Sequence, residues 1–168
     1  MMELRLALEA IIYALLYSAF IVVLVKRQGV IKQLYNYPPK IQQRAVELGI
    51  TTQEDMAANA KKYKPFGFVV MIAANLFIIC VVNRETTFWA GFYESYIFLN
   101  AFSLFDAAIL DTVWFCHSSV WRIPGTEDMT AEYNDYWFHW KWFFIGLLAI
   151  LPLAAVVGGL TAAIGLIR

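Results

Sequence analysis

The sequence predicts an all-α integral membrane protein, a four-transmembrane-helix bundle with short amphipathic cytoplasmic helices between spans 1 and 2. Of its 168 residues, 61% are hydrophobic and 15% are charged. A water-soluble domain of this length could not bury so much apolar surface. Four apolar stretches are each long enough to cross about 30 Å of hydrocarbon. Six tryptophans and nine tyrosines are typical of the boundary between membrane and water.

The predicted spans cover residues 6–25, 66–83, 88–116 and 142–167 of a single membrane domain, residues 1–168. Pro65 stands just before the second span, where its missing N–H costs nothing. Residues 84–87 alone separate the second span from the third, which predicts a tight antiparallel hairpin. Pro152 predicts a kink in the fourth span. The first span has no cleavage site after it, so we expect it to stay in the protein.

The long loop at residues 26–64 predicts two short helices. Ile41 and Ala45 recur at helical spacing, and Gly49 would end that helix. Thr51 and Glu54 form a capping-box pattern that predicts the start of a second helix. The pair either lies on the membrane surface and docks a partner or connects two spans as an ordinary amphipathic link.

The distribution of basic residues predicts the orientation. Ten of them lie in the two longer loops, against three elsewhere, so the positive-inside rule places these loops in the cytoplasm of a plasma (inner) membrane protein and both termini outside. The net charge is zero, which gives no reason to expect nucleic acid as a partner. The ten are Lys26, Arg27, Lys32, Lys40, Arg44, Lys61, Lys62, Lys64, Arg122 and Lys141, and the three are Arg5, Arg84 and Arg168.

Polar residues inside the third span are the strongest hint of function. A carboxylate in hydrocarbon costs about 2.5 kcal/mol or more, so three of them in one helix should face protein, water or each other. The candidate substrate-binding residues are Glu94, Asn100, Asp106 and Asp111, with Asn75 of the second span as a partner.

The helical wheel places these side chains on several faces. Asp106 shares a face with Ser103 and His117, whereas Asp111 and Asn100 lie about 140° round the helix. A helix with polar groups on several faces is expected to be surrounded by other helices. The cluster is either a binding site for a solute or a proton near mid-membrane or a hydrogen-bond network that joins helices.

A second pattern precedes the fourth span. If Thr126 caps a helix that continues into that span, four polar residues form one narrow stripe. Carboxylates and histidine converging from one face are what a divalent metal ion requires, and such an ion is the one cofactor that this pattern suggests. The alternative is a solvated acidic face beside an aromatic belt. The predicted metal ligands are Asp128, Glu132, Asp135 and His139.

Two histidines are predicted near the cytoplasmic boundary. His117 ends the third span and His139 precedes the fourth, so both could act as catalytic acid or base on a lipid or apolar substrate, with Asp111 nearby. The sequence is therefore compatible both with an enzyme and with a protein that has no catalytic activity.

The leading expectation is a small membrane protein that binds or translocates a solute, ion or lipid through the polar site of its third helix. The alternative is a membrane-embedded enzyme with a carboxylate–histidine site, and the third is a structural or partner-stabilising subunit. Small-residue stripes in the first and fourth spans, such as Ala154, Gly158 and Ala162, favour close helix packing. They fit packing within one chain, a homo-oligomer or a membrane partner subunit, all in contact with membrane lipids.

The orientation can be tested with single cysteines in a cysteine-free background. Placed at Gln53, a cysteine should resist an impermeant thiol reagent in intact cells, whereas cysteines at the termini should react, because the positive-inside rule puts the loop in the cytoplasm. Labelling at Gln53 but not at the termini would reverse the assignment.

Overall fold

The computed structural model describes residues 2–167, and throughout that part of the chain the regular elements are helices. Along the chain these are α1 (Met2–Gln28), a 3-10 helix (Val30–Asn36), α2 (Pro39–Glu47), α3 (Gln53–Leu76) with a π-helical continuation (Phe77–Val82), α4 (Phe88–Phe105) with a π-helical continuation (Asp106–Phe115), a 3-10 helix (Ser119–Trp121), α5 (Thr130–Tyr133) and α6 (Tyr136–Gly165).

Four of these helical segments are long and apolar enough to cross a membrane, as the sequence predicts. Each keeps large apolar side chains on its outer surface, for example Leu16, Val69 and Leu148, which are 67%, 65% and 74% exposed. Such faces are suited to a lipid environment. The four segments are Glu3–Gln28, Gln53–Val82, Phe88–Phe115 and Thr130–Gly165.

The bundle has two ends that differ in construction. The hairpin end holds residues 83–87, the short link between α3 and α4, together with the start of α1 and the end of α6. The loop end holds residues 29–52 and 116–135 with their short helices. Helix α4 contacts α6 most extensively and α1 next, and it also contacts α3. The third span therefore packs against other helices on part of its surface, while Ile109 and Val113 are 43% and 56% exposed. The expectation that other helices surround it stays a prediction.

Small residues let α4 and α6 approach closely near the hairpin end. A Cβ atom on Gly91 would lie 2.5 Å from Thr161 Oγ1, and one on Gly158 would lie 2.7 Å from the carbonyl oxygen of Phe88. Ala154 and Gly158 of the predicted stripe are buried in this contact, and Ala10 of α1 is likewise buried. These stripes therefore pack helices within the chain, while the expected homo-oligomer stays a prediction.

The second span begins much earlier than the sequence predicts. Residues 53–76 form one helix with Pro65 inside it, so the expected second short helix is part of the span. No helix-ending residue stands between Tyr63 and Pro65, and a single proline removes only one backbone hydrogen bond. The predicted cap at Thr51 is also wrong, because the Thr52 side chain accepts the hydrogen bond from the Asp55 N–H instead.

The other loop helix follows the prediction closely. Helix α2 starts at Pro39 and buries Ile41 and Ala45, and the chain turns at Gly49 with φ +67°. The Gly49 N–H donates to the Val46 carbonyl, as in a helix that ends on glycine.

Replacing Gly91 by alanine should destabilise the bundle, because the added methyl would overlap Thr161. We expect the free energy of unfolding to fall by about 1–3 kcal/mol, the usual cost of overpacking. Thermal unfolding in detergent measures the effect. Gly159→Ala is the matched control one helix face away, since a Cβ there meets nothing within 4 Å. Equal stability of the two variants would contradict the close contact.

Candidate functional site

A cavity of about 630 Å³ opens at the loop end of the bundle. Its walls come from the end of α1, the loop before α2, the π-helical continuation of α4 and the start of α6. This volume lies within the range of small-molecule sites in proteins. Its lining includes Ile21, Val25, Gln33, Tyr35, Tyr37, Gln42, Lys64, Phe102, Asp106, Leu110, Asp111, Trp114, Phe115, Trp121, Phe138, His139 and Trp142.

The π-helical segment Asp106–Phe115 places both aspartates of the third span on the cavity wall. Asp106 and Asp111 each line the cavity, whereas the helical wheel puts them on different faces. That expectation is wrong because π-helical hydrogen bonds join residues five apart, which brings residues i and i+5 onto one face. The Thr112 hydroxyl follows the same spacing and donates to the Ala107 carbonyl at 2.7 Å.

Asp111 is paired with His139 across the gap between two helices. Its Oδ2 lies 3.0 Å from His139 Nδ1. The imidazole is 6% exposed and is flanked edge-on by Phe115 and Phe138, both with ring centroids 5.1 Å away. Asp111 thus contacts a neighbouring helix, as the sequence predicts for a carboxylate within an apolar helix.

The second nitrogen of His139 has no hydrogen-bond partner among the described residues. Nε2 is buried and unpaired, although the imidazole lines the cavity. A neutral imidazole that donates from Nδ1 to a carboxylate keeps its free lone pair on Nε2. Burial of such an acceptor costs about 1–3 kcal/mol, so the site holds an unused acceptor next to a fixed carboxylate.

The loop wall of the cavity is held by its own hydrogen bonds. Gln33 Oε1 accepts from the Tyr35 hydroxyl at 3.0 Å and from Asn36 Nδ2 at 3.3 Å. Gln42 Nε2 donates to the Tyr37 carbonyl at 2.7 Å. The ammonium of Lys64 lies 5.4 Å from the centroid of the Tyr35 ring. These six residues are not among the sequence-predicted site residues, because polar groups outside the apolar stretches carry no hydropathy signal.

Tyr37 connects the loop wall to the rest of the loop end. Its hydroxyl donates to the Trp121 carbonyl at 3.0 Å, and its ring packs edge-on against Phe115 at 4.9 Å. Burial raises the pKa of Tyr37, so the hydroxyl stays protonated and remains a donor. This bond fixes the position of the loop over the cavity.

Glu94 belongs to a separate cluster at the hairpin end. Arg5 lies 3.2 Å from Glu94 Oε1 and 3.4 Å from Glu9 Oε1. The Asn83 side-chain amide donates to both carboxylates, at 2.9 Å to Glu9 and 2.8 Å to Glu94. The structure therefore gives Glu94 structural partners and does not bring it to the aspartates.

The two predicted asparagines also lie away from the cavity. Asn75 is fully buried and donates to the Tyr13 hydroxyl at 2.8 Å and to the Met71 carbonyl at 2.9 Å. Asn100 donates to the Tyr96 carbonyl at 2.7 Å. Neither side chain lines the cavity. Asn75 joins α3 to α1, as a polar group between membrane helices commonly does.

The predicted helix from Thr126 into the fourth span does not form. Thr126 is buried, and its hydroxyl donates to the Ile123 carbonyl at 2.7 Å and lies 2.9 Å from the Tyr133 hydroxyl. Helix α5 is a single turn, and the chain breaks at Asn134 before α6. The Asp135 side chain caps α6 by accepting from the Phe138 N–H at 3.0 Å, and this cap competes with a helix that runs through.

The predicted stripe is therefore dispersed. Asp128 is exposed, Glu132 lies 3.5 Å from Lys40 Nζ, Asp135 serves as the cap, and His139 is the member that reaches the cavity. Over residues 2–167, no three His, Cys, Asp or Glu side chains are grouped so that they could hold a metal ion.

The two histidines have different surroundings. His117 is exposed, and its Nε2 lies 3.1 Å from the Tyr136 hydroxyl. His139 is buried beside Asp111. They are not brought together in one hydrogen-bonded pair, so His139 is the histidine through which the cavity can hold or move a proton.

Comparison with known proteins gives no match: no family model fits the chain, and neither a curated protein nor a solved structure is similar to it.

Replacing Asp111 by leucine should lower the free energy of unfolding by about 1–3 kcal/mol, because His139 is left buried without a partner. Leucine at both positions should recover part of this loss, since both polar groups are then removed. Unfolding in mixed micelles measures the cycle. Asp128→Leu, at an exposed position, is the control and should change stability little. Additive losses at positions 111 and 139 would contradict the pairing.

Proposed function

We propose that this protein is an integral membrane protein that binds an amphipathic small molecule or membrane lipid in the cavity at its loop end, with that end in the cytoplasm. Four long apolar helices with apolar outer faces support insertion. Exposed tryptophans lie toward both ends of the bundle, Trp89 near the hairpin end and Trp137 near the loop end. The interfacial preference of tryptophan agrees with this arrangement.

The observation that carries the proposal is the convergence of Asp106, Asp111 and His139 on one cavity wall. Few polar groups among many apolar and aromatic side chains are typical of a ligand site, where the polar groups orient the ligand. A cavity near the ends of membrane helices is accessible to molecules that partition into the head-group layer. An amphipathic molecule matches both the polar and the apolar walls.

A membrane-embedded enzyme is the second candidate, and one observation favours it. A carboxylate holds His139 through Nδ1 at 3.0 Å, and the opposite nitrogen is unpaired. This arrangement orients an imidazole as a general base. The substrate would be a lipid or apolar molecule bound in the same cavity. An enzyme would release an altered molecule in a reaction that depends on His139, whereas a binding protein would release its ligand unchanged.

Narrowing the cavity should weaken binding of a simple amphiphile. Leu110 lines the cavity, while its neighbour Ile109 is exposed on the outer face. We expect 1-octanol to shift the tryptophan emission of the wild-type protein in phosphatidylcholine nanodiscs, because Trp114, Trp121 and Trp142 line the cavity. Leu110→Phe should weaken the saturable part of this shift, because the larger side chain takes up part of the space at the cavity wall.

Ile109→Phe is the matched control for this titration and should behave as wild type, since it adds the same ring on the lipid side. Empty nanodiscs give the background from octanol in the bilayer. An identical response of wild type and Leu110→Phe would show that octanol reports on the lipid alone and would contradict the proposal.

A further inference from the structure

The cavity carries more negative than positive charge that is free to meet a ligand. Its acidic and basic lining residues are Lys64, Asp106, Asp111 and His139. His139 is paired with Asp111, and the Lys64 ammonium lies over the Tyr35 ring. In the tautomer in which the neutral His139 ring donates from Nδ1 to Asp111, His139 carries no charge, so neither Asp106 nor Asp111 is paired with a cation among the described residues that line the cavity. An anionic ligand would meet two like charges here, whereas a cationic one would be attracted.

Aromatic rings form much of the remaining wall. Trp114 and Trp121 line the cavity and pack edge to face, with ring centroids 4.8 Å apart. The chain already places its own cations on rings at this end. Lys141 Nζ lies 4.9 Å from the centroid of Phe138, which is another lining residue. Aromatic faces next to a carboxylate are the usual surroundings of a bound organic cation.

The unpaired nitrogen of His139 distinguishes between kinds of cation. Nε2 is buried, has no partner among the described residues, and belongs to a side chain that is more than nine-tenths buried in the cavity wall. Its lone pair can accept a hydrogen bond from N–H but gains nothing from a quaternary ammonium, which has no N–H. A primary ammonium can donate to the carboxylate and to the imidazole at the same time.

We propose that the ligand of this cavity is a primary alkylammonium amphiphile whose head group contacts Asp106 and His139 and whose chain lies against the tryptophan wall. This inference rests on the proposed function, since it names the ligand class of the same site. Asp106 supplies the charge, His139 accepts an N–H, and Asp111 holds His139 in position.

Four probes with the same eight-carbon chain test the head group: octylammonium, octyltrimethylammonium, 1-octanol and octanoate. Each is titrated at neutral pH into the protein in phosphatidylcholine nanodiscs, and tryptophan emission is followed. Empty nanodiscs give the background, and Leu110→Phe shows which part of the response depends on the cavity. We expect octylammonium to bind at least about tenfold more tightly than octanol, because hydrogen bonds to charged groups exceed neutral ones by about this factor. Octyltrimethylammonium should bind more weakly than octylammonium, and octanoate weakest of all.

Substitutions at Asp106 assign the preference to that residue. Asp106→Asn should bring the ratio of octylammonium to octanol affinity down to about one, and its helical circular dichroism in nanodiscs should match that of the wild type if the variant is folded. Asp106→Glu keeps the charge and should keep most of the preference. If Asp106→Asn loses octanol binding as well, the test depends on Asp106→Glu. Octanol binding by Asp106→Glu shows that this variant is folded. Loss of the ammonium preference in it would then overturn the inference.

The outcomes separate the two proposals. Equal, cavity-dependent binding of octanol and octylammonium would leave the proposed function standing and overturn the ammonium inference. Tighter binding of octanoate would also overturn it. If none of the four probes shows saturable binding that Leu110→Phe weakens, both proposals are overturned.

Discussion

The arrangement of the loop end depends on the hydrogen-bond spacing of residues 106–115. Two aspartates five residues apart diverge on an α-helix but share a face where the backbone bonds join residues five apart. This spacing lets Asp106 and Asp111 both line the cavity. A carboxylate directed at hydrocarbon would cost several kcal/mol, so the departure from α-helical geometry has a clear energetic benefit. π-Helical turns are rare in proteins, but those that occur are often found at functional sites. The π-helical segment of this chain therefore agrees with the proposed role.

The carboxylates at the two ends of the bundle have different partners. At the hairpin end, Glu9 and Glu94 share the Arg5 guanidinium and the Asn83 amide. The polar groups of that cluster pair with one another within the chain, and these contacts join α1, α4 and the link between α3 and α4. The close approach of α4 and α6 at Gly91 and Gly158 sets the register between these helices. The same register brings His139 of α6 to Asp111 at the other end of α4's continuation.

Much of the fold could be predicted from the sequence, because the length and hydropathy of a span are local properties. The four apolar helices, the hairpin at residues 84–87 and the glycine after α2 follow from composition and turn chemistry. Helix boundaries could not be predicted where a residue that often starts a helix has a different role in the structure. Pro65 is an apparent helix start that the structure places inside α3, and Thr126 is an apparent cap that is used in a buried turn with Tyr133.

The site could be predicted only in part, for a physical reason. The cost of charge in hydrocarbon identifies Asp106 and Asp111, and the position of His139 before the fourth span indicates an interfacial role. Contacts between these groups depend on tertiary structure. They require the π-helical hydrogen-bond spacing of residues 106–115 and the register of α6 against that segment. The wheel assumes α-helical phase throughout and therefore separates the aspartates. The loop residues that close the cavity, Gln33 and Tyr37 among them, are set by their hydrogen bonds to one another and to Trp121. A polar loop residue costs nothing in water, so its sequence alone gives no sign that it will face a ligand.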